Sequence, residues 1–181
     1  MRLFTQSPAA LAATAALTVG TAVATAPGAH AEPKADSAAP TTAAMVKMGP
    51  SQWKGERLRH PEGGRFPAKV ERWANLVSLV MAEHEVPRRH LPGVLAQIQQ
   101  ESSGRPKAVN RWDSNARRGT PSKGLLQVIA PTYRHFAKDG YRHTRYQTVP
   151  YTNIYASLNY VKKTYGMGKF RSWNNGHNQG Y

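Results

Sequence analysis

The sequence of 181 residues has no cysteine and only 10 acidic residues. The absence of cysteine excludes a disulfide scaffold, a zinc–thiolate site, an iron–sulfur cluster and a cysteine nucleophile. Against the 10 acidic residues stand 25 Lys and Arg, so the formal net charge is +15. This excess predicts a polyanionic partner: nucleic acid, an anionic membrane or an anionic cell wall. The length predicts one domain with additional segments.

Long apolar runs are also scarce, and the one that occurs lies at the N-terminus. An Ala-, Leu- and Val-rich stretch fills roughly residues 9–26 and ends in Ala29-His30-Ala31, which fits the small-x-small cleavage pattern. Its large apolar residues are too few to favour a permanent membrane anchor, so residues 1–31 are predicted to be a signal peptide. Cleavage removes Arg2 and leaves 24 basic and 10 acidic residues, a charge of +14. We expect a secreted protein, extracellular or wall-associated, with no membrane span after cleavage.

Composition and periodicity change at Pro67. Residues 32–66 are rich in Pro, Ala, Thr and Gly without apolar periodicity, which predicts a flexible linker. From 67 to 181, apolar residues recur at steps of three and four, and no long alternating run suggests a strand. The predicted fold is therefore mainly α. Helices are expected at about 67–86, 92–102, 124–129, 131–140 and 153–166, with long loops at about 104–123 and 140–152.

Glu101 is the first candidate for chemistry, because it ends an otherwise apolar helix face. It follows Val94 and Ile98 at helical spacing. A carboxyl group near a helix C-terminus and among apolar neighbours has a raised pKa, which suits a general acid. A solvated glutamate at a helix end gives the same pattern, so periodicity alone leaves both interpretations open.

The motifs around Glu101 carry a family resemblance. Residues 97–104 read Gln-Ile-Gln-Gln-Glu-Ser-Ser-Gly, and residues 124–127 read Gly-Leu-Leu-Gln. Between and after them come Trp112-Asp113-Ser114-Asn115-Ala116, an Asn153-Ile154…Tyr160 helix and Trp173-Asn174-Asn175-Gly176. In this order the motifs resemble the soluble lytic transglycosylase (SLT) family, in its exported actinobacterial and phage-like branch. The resemblance covers residues 67–181 and implies a lysozyme-like helical domain, of the goose-type lysozyme kind, with long loops.

The resemblance implies an enzyme that cleaves the MurNAc–GlcNAc β-1,4 bond of peptidoglycan with one carboxylate. Glu101 is implied to protonate the leaving oxygen and then to accept the proton of the muramic acid 6-hydroxyl, which gives a 1,6-anhydroMurNAc end. The residues implied to orient Glu101 or to contact the glycan are Ser102, Gln127, Asn153, Tyr160, Trp173 and Asn174. Asn153 as a helix N-cap and Gln127 as a surface residue are the alternatives that the pattern leaves open.

Peptidoglycan strands are the expected partner, together with anionic wall polymers held by the basic surface. Because an exported protein seldom meets nucleic acid, and no nucleic-acid-binding motif occurs, that partner is not expected. The seven histidines include no HExxH or similar ligand pair, so neither a metal nor another cofactor is expected. The protein is expected to be a monomer.

Two departures and one further carboxylate keep other functions open. Ser157 stands where the family has Gly, and Trp173 replaces the usual Tyr. If these changes weaken the site, the domain becomes a non-catalytic peptidoglycan-binding module. Asp113 lies in the loop after Glu101, and a separation of roughly 6.5–9.5 Å between the two carboxyl groups would make a hydrolytic, inverting muramidase. Capping of a turn is the favoured role for Asp113.

Overall fold

The structure, a computed structural model, describes residues 58–177, and this part is helical. Its α-helices are α1 (Ala68–Glu71), α2 (Ala74–Glu83), α3 (Leu91–Ser102), α4 (Ser114–Arg117), α5 (Ala130–Phe136), α6 (Pro150–Tyr165) and α7 (Met167–Asn174). Short 3-10 turns occur at Arg88–His90 and Thr144–Tyr146. Between residues 58 and 177 there is no strand, and only isolated bridges join Arg59 to Arg65 and Lys123 to Val109 and Val128. The predicted mainly α class is confirmed.

Helix α3 is the central element of the core. Every residue from 93 to 98 is buried, so the helix is covered on all sides rather than along one stripe. Helices α2, α6 and α7 supply the surrounding apolar side chains, which include Val77, Val80, Met81, Ile154, Leu158, Phe170 and Trp173. A smaller cluster packs α5 on α6 through Val128, Tyr133, Ala137 and Ala156. The C-terminal end of α3 is thus where a buried helix leaves the core.

The segment 124–129 is not the predicted helix. Gly124 has φ +87° and Gln127 has φ +44°, and an α-helix accepts neither value. The segment forms a turn closed by the Lys123–Val128 bridge. Its apolar residues Leu125 and Leu126 are fully buried, so their spacing reflects tertiary packing rather than a helical period.

Two other boundaries differ from the prediction. The first predicted helix is divided at Arg72 and Trp73 into α1 and α2. The last long helix begins at Pro150 instead of Asn153, because proline suits the first helical turn, where no N–H donor is needed. Asn153 therefore lies inside α6, and Val149 is the N-cap residue.

The packed part begins before Pro67. Phe66 is buried in the main core, and Leu58 packs against the same cluster. The end of the segment predicted to be a linker is therefore ordered, whereas its beginning and the predicted signal peptide lie outside the described residues. Of the helices that the structure describes, none is both long and apolar enough to cross a membrane.

Candidate active site

Glu101 is the penultimate residue of α3 and is half-buried where the helix leaves the core. Gln97 lies one turn earlier on the same face and is fully buried, and its Nε2 donates to Glu101 Oε1 at 2.8 Å. Burial raises the pKa of Glu101 to about 7, although the hydrogen bond from Gln97 acts in the opposite direction. Near neutral pH the carboxyl group therefore exists in both forms and can donate or accept a proton.

Ser102 does not have the orienting role that the resemblance implied. Its Oγ donates to the main-chain oxygen of Ile98 at 3.1 Å, and the residue is only 2% exposed. Gln97 makes the hydrogen bond to Glu101 instead. The sequence carried this signal, because residues four apart lie on the same helix face.

The end of α3 is fixed against the junction of α1 and α2. Ser103 adopts the left-handed conformation, with φ +52°, and closes the helix by donating its N–H to the Gln99 oxygen. Trp73 Nε1 then donates to the Gly104 oxygen at 3.0 Å. A side chain at Gly104 would overlap the main chain of Lys69, so the two segments are in direct contact. This contact sets the direction of the chain immediately after Glu101.

Gln127 closes the base of the loop 104–123. Its Nε2 donates to the oxygens of Ala108 at 3.2 Å and Gly124 at 2.8 Å, and its Oε1 accepts from Ser122 Oγ at 3.1 Å. The amide is therefore engaged with the loop in this structure. Gln127 remains half-buried, so part of its side chain faces solvent.

Asn153 holds the same turn from α6. Its Oδ1 accepts from Leu126 N at 2.9 Å, and its Nδ2 donates to the oxygens of Lys123 at 3.0 Å and Gln147 at 2.8 Å. The residue is completely buried, and a side chain at Gly124 would overlap it. Asn153 is thus neither an N-cap nor exposed to a glycan. It positions the turn.

Asp113 has the capping geometry. It is the N-cap of α4, where Oδ1 accepts from Ala116 N at 2.8 Å, while Oδ2 accepts from Asn110 Nδ2 at 3.2 Å. Both carboxylate oxygens are therefore used within the loop. This arrangement accounts for the residue without a second catalytic carboxylate.

The Trp173–Asn174 segment lies toward the other end of α3. Trp173 is 0% exposed and packs edge-on against Phe170, so it offers no face to a sugar. A side chain at Gly93 would overlap the main chain of Asn174, and Gly93 precedes Glu101 by roughly 12 Å of helix axis. The side-chain oxygen of Asn174 is buried without a hydrogen-bond partner in the described part of the chain.

The remaining predicted positions lie on α6. Tyr160 is half-buried; its ring centroid is 5.1 Å from that of Phe136, and its hydroxyl is 3.0 Å from that of Tyr165. Ser157 is fully buried, so the hydroxyl-bearing side chain is accommodated where the family has Gly. Across residues 58–177, no group of three or more His, Asp or Glu side chains could hold a metal ion.

Fold and site together define a class: a lysozyme-like α domain in which one half-buried carboxyl group with a raised pKa ends the central helix. Residues 79–179 match the family described as "Transglycosylase SLT domain", which is more than half of the chain. The chain belongs to this family, whose domains are of the lytic transglycosylase type and act on peptidoglycan. The predicted family is confirmed, and the exported actinobacterial and phage-like branch stays a prediction.

A curated relative covers the same part of the chain. The sequence is 38% identical over 103 residues to "Uncharacterized protein YqbO" of Bacillus subtilis (strain 168). The match covers 57% of this chain and 6% of that protein, so the chain spans only a small fraction of the length of this relative. No solved structure matches the chain significantly.

Proposed function

We propose that this protein is an exported peptidoglycan lytic transglycosylase that cleaves the MurNAc–GlcNAc β-1,4 bond with Glu101 as its single general acid and base. The observation that carries the proposal is the pKa of Glu101 near 7, at the end of the central helix of an SLT domain. A group that must first donate and then accept a proton works best when its pKa is close to the working pH.

The proposed reaction returns Glu101 to its starting state. The protonated carboxyl group donates its proton to the glycosidic oxygen as the bond to C1 of MurNAc breaks, and positive charge develops at that carbon. The carboxylate then accepts the proton of the C6 hydroxyl while O6 bonds to C1. The products are a free 4-hydroxyl on GlcNAc and a 1,6-anhydroMurNAc end. No water is consumed, so one carboxyl group is sufficient.

Gln97 decides which oxygen of Glu101 carries the acidic proton. Because Oε1 accepts the hydrogen bond from Gln97 Nε2, the proton of the acid form resides on Oε2. The buried amide also keeps the carboxyl group in one orientation, since both residues lie on the same rigid helix. We therefore assign Gln97 as a positioning residue for Glu101.

The other residues divide by exposure. Gln127, Tyr160 and Asn174 are half-buried and remain proposed glycan contacts. Ser102, Asn153 and Trp173 are buried and are proposed to hold the framework of the site. The proposed organisation is a signal peptide at 1–31, a linker that begins at 32, and the transglycosylase domain, acting as a secreted or wall-associated monomer. Anionic wall polymers are proposed to bind the basic surface.

Product chemistry tests the proposal. Purified protein is incubated with purified peptidoglycan, and the soluble products are analysed by mass spectrometry. Anhydromuropeptides, lighter by one water than hydrolysis products, are expected. Muropeptides with reducing ends would instead indicate a muramidase, and binding of the polymer without products would indicate a binding module.

Asp113→Asn separates the first two results further. Asparagine is as good an N-cap as aspartate, so the loop is expected to keep its structure. A transglycosylase that depends on Glu101 alone keeps its activity in this variant. A muramidase that needs Asp113 to activate water loses it.

A further inference from the structure

Trp112 is the most exposed large apolar side chain in the described part of the chain. It is 84% exposed, compared with 45% for Tyr165 and 38% for Leu79. A single exposed apolar residue is ordinary in itself. What distinguishes Trp112 is the way the loop holds it and the charge that surrounds it.

The main chain of Trp112 is fixed on both sides. Its N–H donates to Asn110 Oδ1 at 3.0 Å, and its oxygen accepts from Arg117 Nη1 at 3.2 Å. Asn110 is held in turn by Asp113 Oδ2 and by the main-chain oxygen of Ser122. The indole therefore projects from a rigid mount. An aromatic side chain presented in this way loses little conformational freedom when it binds a ligand.

The loop around Trp112 is strongly basic. Between residues 104 and 123 it has one acidic residue, Asp113, which caps α4, and six basic residues: Arg105, Lys107, Arg111, Arg117, Arg118 and Lys123. Three ion pairs are seen among residues 58–177, and none of them involves these six side chains. Trp112 is thus surrounded by cations whose charge is available to a ligand.

The loop is attached to the proposed catalytic centre at both ends. It begins three residues after Glu101, and Gln127 fastens its base through the Ala108 oxygen. A polymer bound at Glu101 therefore lies within reach of the loop. A glycan strand that carries stem peptides offers two kinds of group: the C–H faces of its sugars, which stack on aromatic rings, and the peptide carboxylates, which pair with arginine.

We propose that Trp112, together with Arg111, Arg117 and Arg118, forms a subsite for the glycan strand beyond the bond that is cleaved. The indole stacks on a sugar face, and the guanidinium groups pair with stem-peptide carboxylates. This inference rests on the proposed function, because it takes peptidoglycan as the substrate.

Binding is tested with the full chain carrying Glu101→Gln, so that the strands are not cleaved during the measurement. Trp53→Phe is added because Trp73 and Trp173 are buried, which leaves Trp112 as the main fluorophore accessible to a quencher. The probes are soluble glycan strands with stem peptides, the same strands stripped of peptides by an amidase, and purified wall teichoic acid. Both kinds of strand are expected to protect Trp112 from acrylamide quenching.

The substitutions separate the two contacts. Trp112→Ala is expected to weaken binding of both kinds of strand on the order of tenfold, whereas Trp112→Tyr restores most of it. Arg117→Gln with Arg118→Gln weakens binding of the peptide-bearing strands only. Leu79→Ala, which also removes an exposed apolar side chain, and Lys163→Gln, which also removes an exposed charge, are expected to bind like the parent.

Two results would overturn the subsite. One is unchanged affinity of Trp112→Ala for both kinds of strand, and the other is protection of Trp112 by teichoic acid alone. Failure of the proposed function is recognised separately: Trp112 is then protected by glycan, but the protein with Glu101 intact releases no anhydromuropeptides.

Discussion

Burial of Glu101 links its protonation to the stability of the fold. In the folded protein its pKa is raised from 4.5 to about 7, so between these pH values the folded state keeps a proton that the unfolded state loses. The wild-type protein is therefore expected to lose stability as pH rises through this window and to level off above it. Glu101→Gln carries no charge and escapes this loss.

The free energy of unfolding measures this linkage. At pH 8, Glu101→Gln is expected to gain up to about 3 kcal/mol more, relative to the wild type, than it gains at pH 4. Urea denaturation at the two pH values gives the comparison, and Glu71→Gln, an exposed carboxylate on α1, is the matched control. An effect of Glu101→Gln that is the same at both pH values would contradict the raised pKa.

Gln97 is tested by the pH dependence of the reaction. Gln97→Leu keeps the approximate size of the side chain but removes the donor that favours the charged form of Glu101. The alkaline limb of kcat/KM, which marks deprotonation of the acid, is expected to move to higher pH. Gln100→Leu, at an exposed position of the same helix, is expected to leave the limb in place. If Gln97→Leu lowers the rate without moving the limb, its role is structural only.

The residues of the site differ in how far the sequence predicts them. Glu101 follows from its helical spacing and its motif, because both are local. Trp173 shares the motif, but its environment depends on how α7 packs on α3, and the packing buries the ring. The side-chain partners of Gln127 and Asn153 lie 19 and 27 residues away along the chain, beyond the reach of any local pattern.

At the scale of elements, the turn 124–127 depends on α6. Asn153→Ala removes three hydrogen bonds and leaves buried main-chain groups without partners, so a loss of about 2–4 kcal/mol in the free energy of unfolding is expected. Chemical denaturation measures it. Asn159→Ala, which removes one hydrogen bond from the same helix to the Phe136 oxygen, is the control and is expected to cost about 1 kcal/mol. Equal losses in the two variants would contradict the role of Asn153.

The elements themselves are predictable to the extent that their period is their own. α3 and α6 show a helical period and cap signals, and both occur in the structure. The segment Gly124–Ile129 also has apolar spacing compatible with a helix. Its backbone groups are bonded instead by Asn153 and by the Lys123–Val128 bridge, which only the folded chain brings together.

At the scale of the whole molecule, the formal net charge of +15 is expected to control association with the cell wall. Exposed charges are screened beyond a few ångströms at high salt. Binding of Glu101→Gln to purified sacculi is therefore expected to weaken steadily as NaCl rises from about 50 mM to about 500 mM. A sedimentation assay measures the bound fraction. Retention that does not respond to salt would show that the basic surface contributes little.

The central claim is that Glu101 is the acid and base of a peptidoglycan-cleaving reaction. Its most direct test compares the release of soluble muropeptides from purified peptidoglycan by the wild type, Glu101→Gln and Glu71→Gln. The account predicts release by the wild type and by Glu71→Gln and none by Glu101→Gln, whose circular dichroism spectrum remains that of the wild type. Release by Glu101→Gln at the wild-type rate would contradict it.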